Sequence, residues 1–455
     1  MIENRLTLSS ILVTTAQCLA DVESGRSLSV QLARVHPSER GAVQALSMYA
    51  MRHWGLAQAW RSIAMQRPSS IEPLNSLVAM SLLLLDIAML TQDASGAPDQ
   101  SPSLQCPLGE DAPRYAVHTV VDQAVGAARH ISKAAFAPKL LNAILRRFQR
   151  ERATFVAAVQ QDDVAIWNCP AWWMAQLRQT YPAQWQSILR VGRAMPDLVI
   201  RVNRRNATVD QVLQAMNLAG VPARQVGEVA IRLEVTGSVE RLPGYHEGWW
   251  SVQDLSAQRA APLLMPTAGM RVLDACSAPG GKAAHLLELA DIELTAVDQD
   301  AMRLDRVRVN LQRLGLLDER RVTLVQADLR HSKSWRRSQP YDLILADVPC
   351  TASGVLRRHP DIAWLRRPSD LKQTVKLQRE ILDALWPALA PGGRMLLVTC
   401  SVFEQEGELQ AQAMLSRHSD AQRLPAPGQI LPAGSQSETG CGYDGFFYAL
   451  FAKRG

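Results

Sequence analysis

Two patterns of apolar residues divide the chain. In residues 1–150 the apolar side chains recur at intervals of three and four, the period of amphipathic helices, and strand signals are few. From about residue 244 short apolar runs alternate with helix-patterned segments, which predicts a mostly parallel sheet covered by helices on both faces. The first pattern predicts a helical bundle with helices at Leu8–Val22, Ser38–Trp54, Leu56–Met65, Pro73–Leu90, Ala116–Ala128 and Pro138–Thr154.

The middle segment, residues 155–243, combines strand and helix signals. DLVIRVNRRNAT is typical of a strand that ends in a basic turn, and TVDQVLQAMNLAGV is typical of a helix with Thr208 as its N-cap. We therefore expect three domains, at 1–154, 155–243 and 244–455. Four tryptophans at helical spacing are interpreted as core packing rather than as stacking platforms for bases: Trp167, Trp172, Trp173 and Trp185.

Composition places the chain among globular proteins of a reducing compartment. Among 455 residues there are seven cysteines, widely spaced and without a C-x-x-C pair, which argues against a disulfide framework or a structural metal site. The N-terminus lacks the features of a signal peptide, and the run Leu77–Leu90 is too short to span a bilayer, so we expect a buried core helix there and a cytoplasmic protein. The polar segment Thr91–Pro113, which contains Cys106, is predicted to be a mobile loop.

The stretch Met270–Leu287 reads as a strand, a glycine-containing turn and a helix, the order found in nucleotide-binding βα units. A strict G-x-G-x-x-G is absent, so a nucleotide-like ligand and an ordinary tight turn both remain open from this stretch alone. Four acidic residues lie at the ends of predicted strands and should line a common rim: Asp274, Asp298, Asp328 and Asp347. Asp298 lies 17 residues after Gly281, where an acid that binds ribose hydroxyls is expected.

Two cysteines also follow predicted strands. Cys350 stands in ADVPC and Cys400 in LLVTCS, where a thiol is either inert packing or, if its thiolate is stabilised, a nucleophile. Cys276 and Cys441 are expected to be structural. The net charge of +6 permits an anionic partner, and three basic segments are either solvated surface or phosphate contacts: Arg146–Arg152, Arg201–Arg205 and Arg357–His359.

Longer motifs carry a family resemblance that covers nearly the whole chain. DACSAPGGK, ADVPCTASGVLRRHPDIAWLRR, LQREILDALWPALAPGGRMLLVTCSVFEQE and DGFFYALFAK together resemble the RNA 5-methylcytosine methyltransferases. LLNAILRRFQRE and the helical bundle narrow the resemblance to bacterial members that act on 16S ribosomal RNA. The resemblance implies an all-α NusB-like RNA-binding bundle, a small α/β middle segment, and a C-terminal α/β Rossmann-like class I methyltransferase domain with a mostly parallel seven-stranded sheet.

The resemblance also assigns site residues. Asp298 takes the ribose hydroxyls of S-adenosylmethionine, Asp328 lies near the adenine, and Asp347 lies between cofactor and target base. Cys400 corresponds to the family's nucleophile and Cys350 to the cysteine that assists release, an assignment that spacing alone does not supply. Ala283 departs from the threonine or serine that is common after the lysine. The methionine and ribose part of the cofactor is held by Cys276, Ser277, Ala278, Pro279, Gly280, Gly281 and Lys282.

The implied activity is methyl transfer from S-adenosylmethionine to C5 of a cytosine in 16S ribosomal RNA, through a thiolate that adds to C6. The target base must be unstacked, so we expect a single-stranded or loop cytosine. We expect a monomer with no DNA, membrane or metal partner. Two alternatives stay open: the same chemistry on tRNA or 23S ribosomal RNA, and a non-catalytic NusB-like RNA-binding factor.

Overall fold

The computed structural model describes residues 7–93, 112–131, 135–235 and 237–455. The chain folds as two compact units, Met1–Met195 with Leu356–Arg366, and Pro196–Val355 with Arg367–Gly455. The predicted loop Thr91–Pro113, with Cys106, lies outside the described residues except at its ends, and a helix extends to Asp93 at its start. The predicted division into three domains stays a prediction.

The first unit is helical, as the apolar period predicts. The six predicted helices are present with bounds that shift by a few residues, and short helices that the pattern did not single out join them. In chain order the helices are Leu8–Glu23, Leu28–Arg34, Pro37–Arg52, Trp54–Ala64, Glu72–Asp93, Val117–Ile131, Phe136–Ala158, Asp163–Trp167, Ala171–Thr180, Trp185–Arg193 and Ile362–Leu365.

The helix Glu72–Asp93 lies in the core of this unit. It has 22 residues, so the expectation that it is too short to span a bilayer was wrong: by length and composition it could cross one. Its most apolar part is nevertheless 83% buried inside the unit, as expected for a core helix. Asp86 in its middle is fully buried and pairs with Arg152 at 2.5 Å, while burial raises the pKa of Asp86 despite that partner.

The second unit begins with a small antiparallel sheet. Strands β1 (Leu198–Val202), β2 (Ala223–Gln225), β3 (Ala230–Leu233) and β4 (Trp250–Val252) pair in the order β2-β3-β1-β4. The helix Val209–Leu218 crosses between the first two strands in sequence. Thr208 caps it as predicted, since its hydroxyl accepts the Gln211 N–H at 3.2 Å and the Gln211 side chain accepts the Thr208 N–H.

A seven-stranded sheet organises the rest of this unit. The strands are β5 (Arg271–Ala275), β6 (Glu293–Asp298), β7 (Val322–Gln326), β8 (Tyr341–Asp347), β9 (Leu389–Thr399), β10 (Ala421–Ile430) and β11 (Phe446–Lys453). Their order is β10-β11-β9-β8-β5-β6-β7. The five strands β9, β8, β5, β6 and β7 run parallel, whereas β11 pairs antiparallel with both β9 and β10. The predicted mostly parallel Rossmann-like sheet is confirmed. Its helices are Ala260–Leu264, Gly281–Leu289, Ala301–Arg313, Pro368–Leu385 and Glu408–Arg417.

The parallel strands deliver the chemistry-bearing residues to one edge. β6 and β8 end on Asp298 and Asp347, and β9 ends at Thr399, one residue before Cys400. Because the carboxyl ends of parallel strands meet at the same edge, these side chains face a common crevice.

Candidate active site

The turn after β5 is tightly closed. The Ser277 N–H donates to the Val297 carbonyl at 2.9 Å, and the Gly280 N–H donates to the Ser277 carbonyl at 2.8 Å. Gly280 has φ +93°, and a Cβ there would lie 3.2 Å from the Cα of Val307. A side chain at this position would therefore strain the backbone and crowd the neighbouring helix, which explains the glycine.

Two buried acids hold this turn. Asp298 accepts the N–H groups of Ala278 at 3.2 Å and Asp300 at 3.1 Å. Asp274, 1% exposed, accepts the Ser277 hydroxyl at 2.7 Å. Burial raises the pKa of Asp274 to about 7, and the nearby charge of Asp347 acts in the same direction.

Asp328 stands two residues after β7 as an ionised acceptor. Arg330 donates to its carboxylate from Nη2 at 2.6 Å and from Nε at 3.0 Å. The hydrogen bonds from Arg330 lower the pKa of Asp328 to about 2. The carboxylate is partly exposed, with 19% of its side chain accessible, and can accept from a ligand as well.

Lys282 connects the cofactor turn to the end of β8. Its Nζ lies 2.6 Å from Oδ2 of Asp347 and 5.4 Å from the centroid of the Phe446 ring. Burial alone would lower the pKa of Lys282, but the charge of Asp347 and the hydrogen bond to it outweigh burial and raise that pKa. The ammonium is therefore fixed beside the rim of the sheet.

The two predicted thiols meet at this rim. Sγ of Cys350 lies 3.3 Å from Sγ of Cys400, and both are free cysteines that are partly accessible. The hydrogen bond to Cys400 and burial raise the pKa of Cys350 well above its ordinary value, with further contributions from the charges of Cys400 and Glu406. The interaction with Cys400 is a further, smaller cause of the raised pKa of Lys282, so the ammonium lies close enough to this sulfur to interact with it electrostatically.

The predicted phosphate contacts need correction. Arg201 is fully buried: Nη2 lies 2.6 Å from Oε1 of Glu288, and Nη1 donates to the Gly281 carbonyl at 2.8 Å. Arg357 is 2% exposed. These two arginines cannot reach a phosphate from their buried positions, so the phosphate interpretation was wrong for them. Arg146 and Arg150 are exposed, as a phosphate contact requires.

Sequence reasoning missed two residues that build the site. Arg201 was taken as part of a basic edge, whereas it supports the first turn of the helix Gly281–Leu289. Glu406 was quoted only within a motif, yet it is fully buried and bonded to the residues that follow both cysteines. The one available signal was that Glu406 lies close in sequence to Cys400.

The charge of this crevice fits S-adenosylmethionine, a ligand that carries a sulfonium and an ammonium group. Asp274, Asp298 and Asp347 surround the turn, and their cationic partners are Lys282, 2.6 Å from Asp347, and Arg303, 3.9 Å from Asp298. Within the described part of the chain, Oδ1 of Asp274 is buried and has no hydrogen-bond partner. Such an excess of carboxylates favours a cationic ligand.

The comparisons with known proteins agree with this site. Residues 261–452 match the family model described as 16S rRNA methyltransferase RsmB/F, and residues 169–240 match the ferredoxin-like domain of RsmF/B-like methyltransferases. Ribosomal RNA small subunit methyltransferase B of Escherichia coli O17:K52:H18 is 43% identical over 319 residues, covering 69% of this chain and 73% of that protein. The chain belongs to the RsmB/F family of 16S rRNA methyltransferases. It is therefore an S-adenosylmethionine-dependent enzyme that methylates ribosomal RNA.

Solved structures support the fold of this RsmB/F family member. The crystal structure of PH0851 aligns with 98% of this chain and 99% of its own, with a TM-score of 0.75 and 20% identity, which shows a common fold. A methyltransferase homologue from Pyrococcus horikoshii aligns with 64% of this chain and 98% of its own, with a TM-score of 0.54 and 26% identity.

Proposed function

We propose that this enzyme transfers a methyl group to C5 of a cytosine in 16S ribosomal RNA through a covalent adduct between Cys400 and C6. The observation that carries the proposal is the 3.3 Å contact between the Cys350 and Cys400 sulfurs, at the strand edge that also holds Lys282 and Asp347. A pair of thiols beside a methyl-donor turn has no use in direct transfer to oxygen or nitrogen, but it suits a carbon that must first be activated.

C5 of cytosine is a poor nucleophile, so the ring must be activated before it can accept a methyl group. A thiolate that adds to C6 forms a carbon–sulfur bond and moves the ring's π electrons toward C5, which then behaves as an enamine carbon. S-adenosylmethionine supplies an electrophilic methyl group when bound. The chain's own task is to present one cysteine as a thiolate at C6.

The charges around the two thiols favour Cys400 for this task. Lys282 is the electrostatic neighbour of Cys400, and an ammonium stabilises a thiolate. The hydrogen bond to Cys400 and burial, with a smaller contribution from the charge of Glu406, raise the pKa of Cys350 and keep it a thiol. A protonated Cys350 then donates a hydrogen bond to the Cys400 sulfur.

Asp347 is suited to the N3 side of the ring. When thiolate addition gives the ring a proton at N3, a carboxyl group there delivers that proton or, as the carboxylate, accepts the resulting N–H. Lys282 fixes the carboxyl group by binding Oδ2. The lysine thus orients Asp347 toward the base and stabilises the thiolate of Cys400 at the same time.

Release reverses the addition. The C5 proton passes to water, its electron pair re-forms the C5–C6 double bond, and the carbon–sulfur pair returns to Cys400 as a thiolate. The proton that N3 gained on addition returns to the Asp347 carboxylate, which restores the neutral ring. Cys350 assists because its thiol lies in contact with the departing sulfur and can donate a hydrogen bond to it. Without Cys350 the thiolate leaves less easily and the adduct should persist.

The residues proposed to hold the methyl donor follow the turn and the rim. Cys276 to Lys282 hold its methionine and ribose part, Asp298 accepts from the ribose hydroxyls, and Asp328 from the adenine amine. The helical unit is proposed to bind RNA, with Arg146 and Arg150 as exposed cations. A monomer in the cytoplasm, acting on a single-stranded or loop cytosine, remains our expectation.

The experiment is bisulfite sequencing of 16S ribosomal RNA from cells that lack this protein, complemented with variants. Wild type and the control Cys18→Ala, a buried thiol in the helical unit, should restore one protected cytosine. Cys400→Ala should restore none. Protection by Cys400→Ala at the wild-type level, or the absence of any protein-dependent cytosine in 16S ribosomal RNA, would overturn the proposal.

A further inference from the structure

The carboxylate of Glu406 is buried against the two loops that contain Cys350 and Cys400. Glu406 ends the 3₁₀ turn Glu404–Glu406 and is fully buried. Its Oε1 accepts the Thr351 N–H at 2.8 Å, and its Oε2 accepts the hydroxyls of Thr351 at 2.5 Å and Ser401 at 2.6 Å. These hydrogen bonds satisfy a charge that would otherwise be costly to bury.

The partners of Glu406 are the residues directly after the two cysteines. Thr351 follows Cys350, and Ser401 follows Cys400, so one carboxylate holds both loops. A second connection runs through Ser353, whose hydroxyl lies 2.8 Å from the Ser401 hydroxyl and accepts the Val402 N–H at 2.9 Å. The Gly354 N–H also donates to the Cys400 carbonyl at 2.9 Å. The two loops are therefore joined by side chains as well as by backbone.

We propose that Glu406 is a positioning residue for methyl transfer: its carboxylate clamps Thr351 and Ser401 and thereby fixes the contact between the Cys350 and Cys400 sulfurs. The inference rests on the proposed function, because the contact matters only if these thiols act on the base. Glu406 does not touch the reacting atoms. It acts through Thr351 and Ser401, the residues that directly follow the two cysteines.

The charge of Glu406 adds a second effect to its geometry. Together with the stronger effects of the hydrogen bond to Cys400 and of burial, it opposes ionisation of Cys350, whereas Lys282 interacts electrostatically with Cys400. The clamp therefore sets the distance between the sulfurs, and its charge adds to the hydrogen bond to Cys400 and the burial that keep Cys350 protonated. A purely structural glutamate would stabilise the fold without separating the two thiols in reactivity.

The test compares Glu406→Gln with Glu404→Gln, a matched control at the other end of the same 3₁₀ turn. Glutamine keeps the shape but removes the charge and one strong acceptor. We expect Glu406→Gln to lower kcat by about 10- to 100-fold, as displaced catalytic groups do, while KM for S-adenosylmethionine changes less than about twofold. Glu404→Gln should match wild type.

Thiol reactivity gives a readout that loss of stability alone would not give. At pH 8, mass spectrometry after iodoacetamide treatment should show Cys350 alkylated faster in Glu406→Gln than in wild type, because the substitution removes one of the charges that raise the pKa of Cys350. Cys400 should change much less. Equal acceleration of both cysteines would indicate general loosening and would overturn the positioning role, as would kcat and alkylation rates at wild-type levels.

Failure of the inference can be told apart from failure of the proposed function. If wild type forms no Cys400-dependent adduct with RNA, the proposed function fails. If wild type forms that adduct and Glu406→Gln behaves as wild type, only the role of Glu406 fails. Should Glu406→Gln lose S-adenosylmethionine binding, and so its fold, Ser401→Ala provides a second test. It keeps the Glu406 charge but removes the Ser401 hydroxyl, which bonds to Glu406 and to Ser353 and accepts the Phe403 N–H, and it must lower kcat in the same way.

Discussion

Arg201 provides the sharpest test of how the cofactor turn is supported. Its guanidinium is fully buried, with Nη2 and Nε at 2.6 Å and 3.0 Å from the two carboxylate oxygens of Glu288 and Nη1 at 2.8 Å from the Gly281 carbonyl. Arg201→Met keeps most of the volume, so the loss of packing is small. It leaves Glu288, whose side chain is 4% exposed, as a buried carboxylate without its cation.

The size of the stability loss in Arg201→Met depends mainly on the Glu288 carboxylate, which is left buried without a cation. Removing one member of a buried ion pair costs about 3–5 kcal/mol, whereas the apolar stem that methionine retains changes little. We expect Arg201→Met to lower the free energy of opening of the helix Gly281–Leu289 by about that amount, measured by native-state hydrogen exchange. S-adenosylmethionine binding should weaken as well, because the Gly281 carbonyl loses its donor.

Two comparisons isolate the cause. Arg205→Met removes a partly exposed pair with Asp291 and should cost no more than about 1 kcal/mol. The double variant Arg201→Met with Glu288→Leu removes both charges and should recover most of the lost stability. A loss below about 1 kcal/mol in Arg201→Met, or no recovery in the double variant, would refute the reasoning.

Other predictions address separate parts of the chain. Because the pKa of Asp274 is raised from 3.8 to about 7, the proton on its carboxyl group stabilises the folded protein fully below pH 3.8, and this stabilisation is lost as pH rises through 7. Between pH 4 and 8 the free energy of unfolding of the wild type in urea should therefore fall by up to about 4 kcal/mol. Asp274→Asn should not show this fall. Thr208→Ala should cost about 1 kcal/mol in thermal unfolding and Thr208→Ser almost nothing, because only the hydroxyl caps the helix. Arg150→Ala should lower RNA affinity and reduce the slope of log affinity against log salt by about 1; an unchanged slope would exclude a phosphate contact.

Much of the fold follows from the apolar periods alone. The six long helices of the first unit and the parallel strands β5 to β9 coincide with apolar runs of helical or strand length, because burial of one face or of both faces sets those periods. The antiparallel strands β10 and β11 lie outside the alternating pattern. Their direction depends on pairing with β9, which no local pattern encodes.

The residues of the site likewise fall into a group that the sequence predicts and a group that only the folded structure reveals. The acids and cysteines could be predicted because each directly follows a strand, and parallel strands end at one edge. The role of Arg201 could not, since an arginine in a basic turn has the same local sequence whether it is exposed or buried. Its partner Glu288 lies 87 residues away. Glu406 likewise depends on Thr351, 55 residues before it, so only the folded chain reveals the clamp.

The central claim is that Cys400 attacks the base and Cys350 releases it. The most direct measurement incubates each cysteine variant with 16S ribosomal RNA and S-adenosylmethionine and resolves covalent protein–RNA adducts on a denaturing gel. Cys350→Ala should accumulate an adduct, and Cys400→Ala should form none. An adduct that needs Cys350 but survives the loss of Cys400 would contradict the account and exchange the two roles.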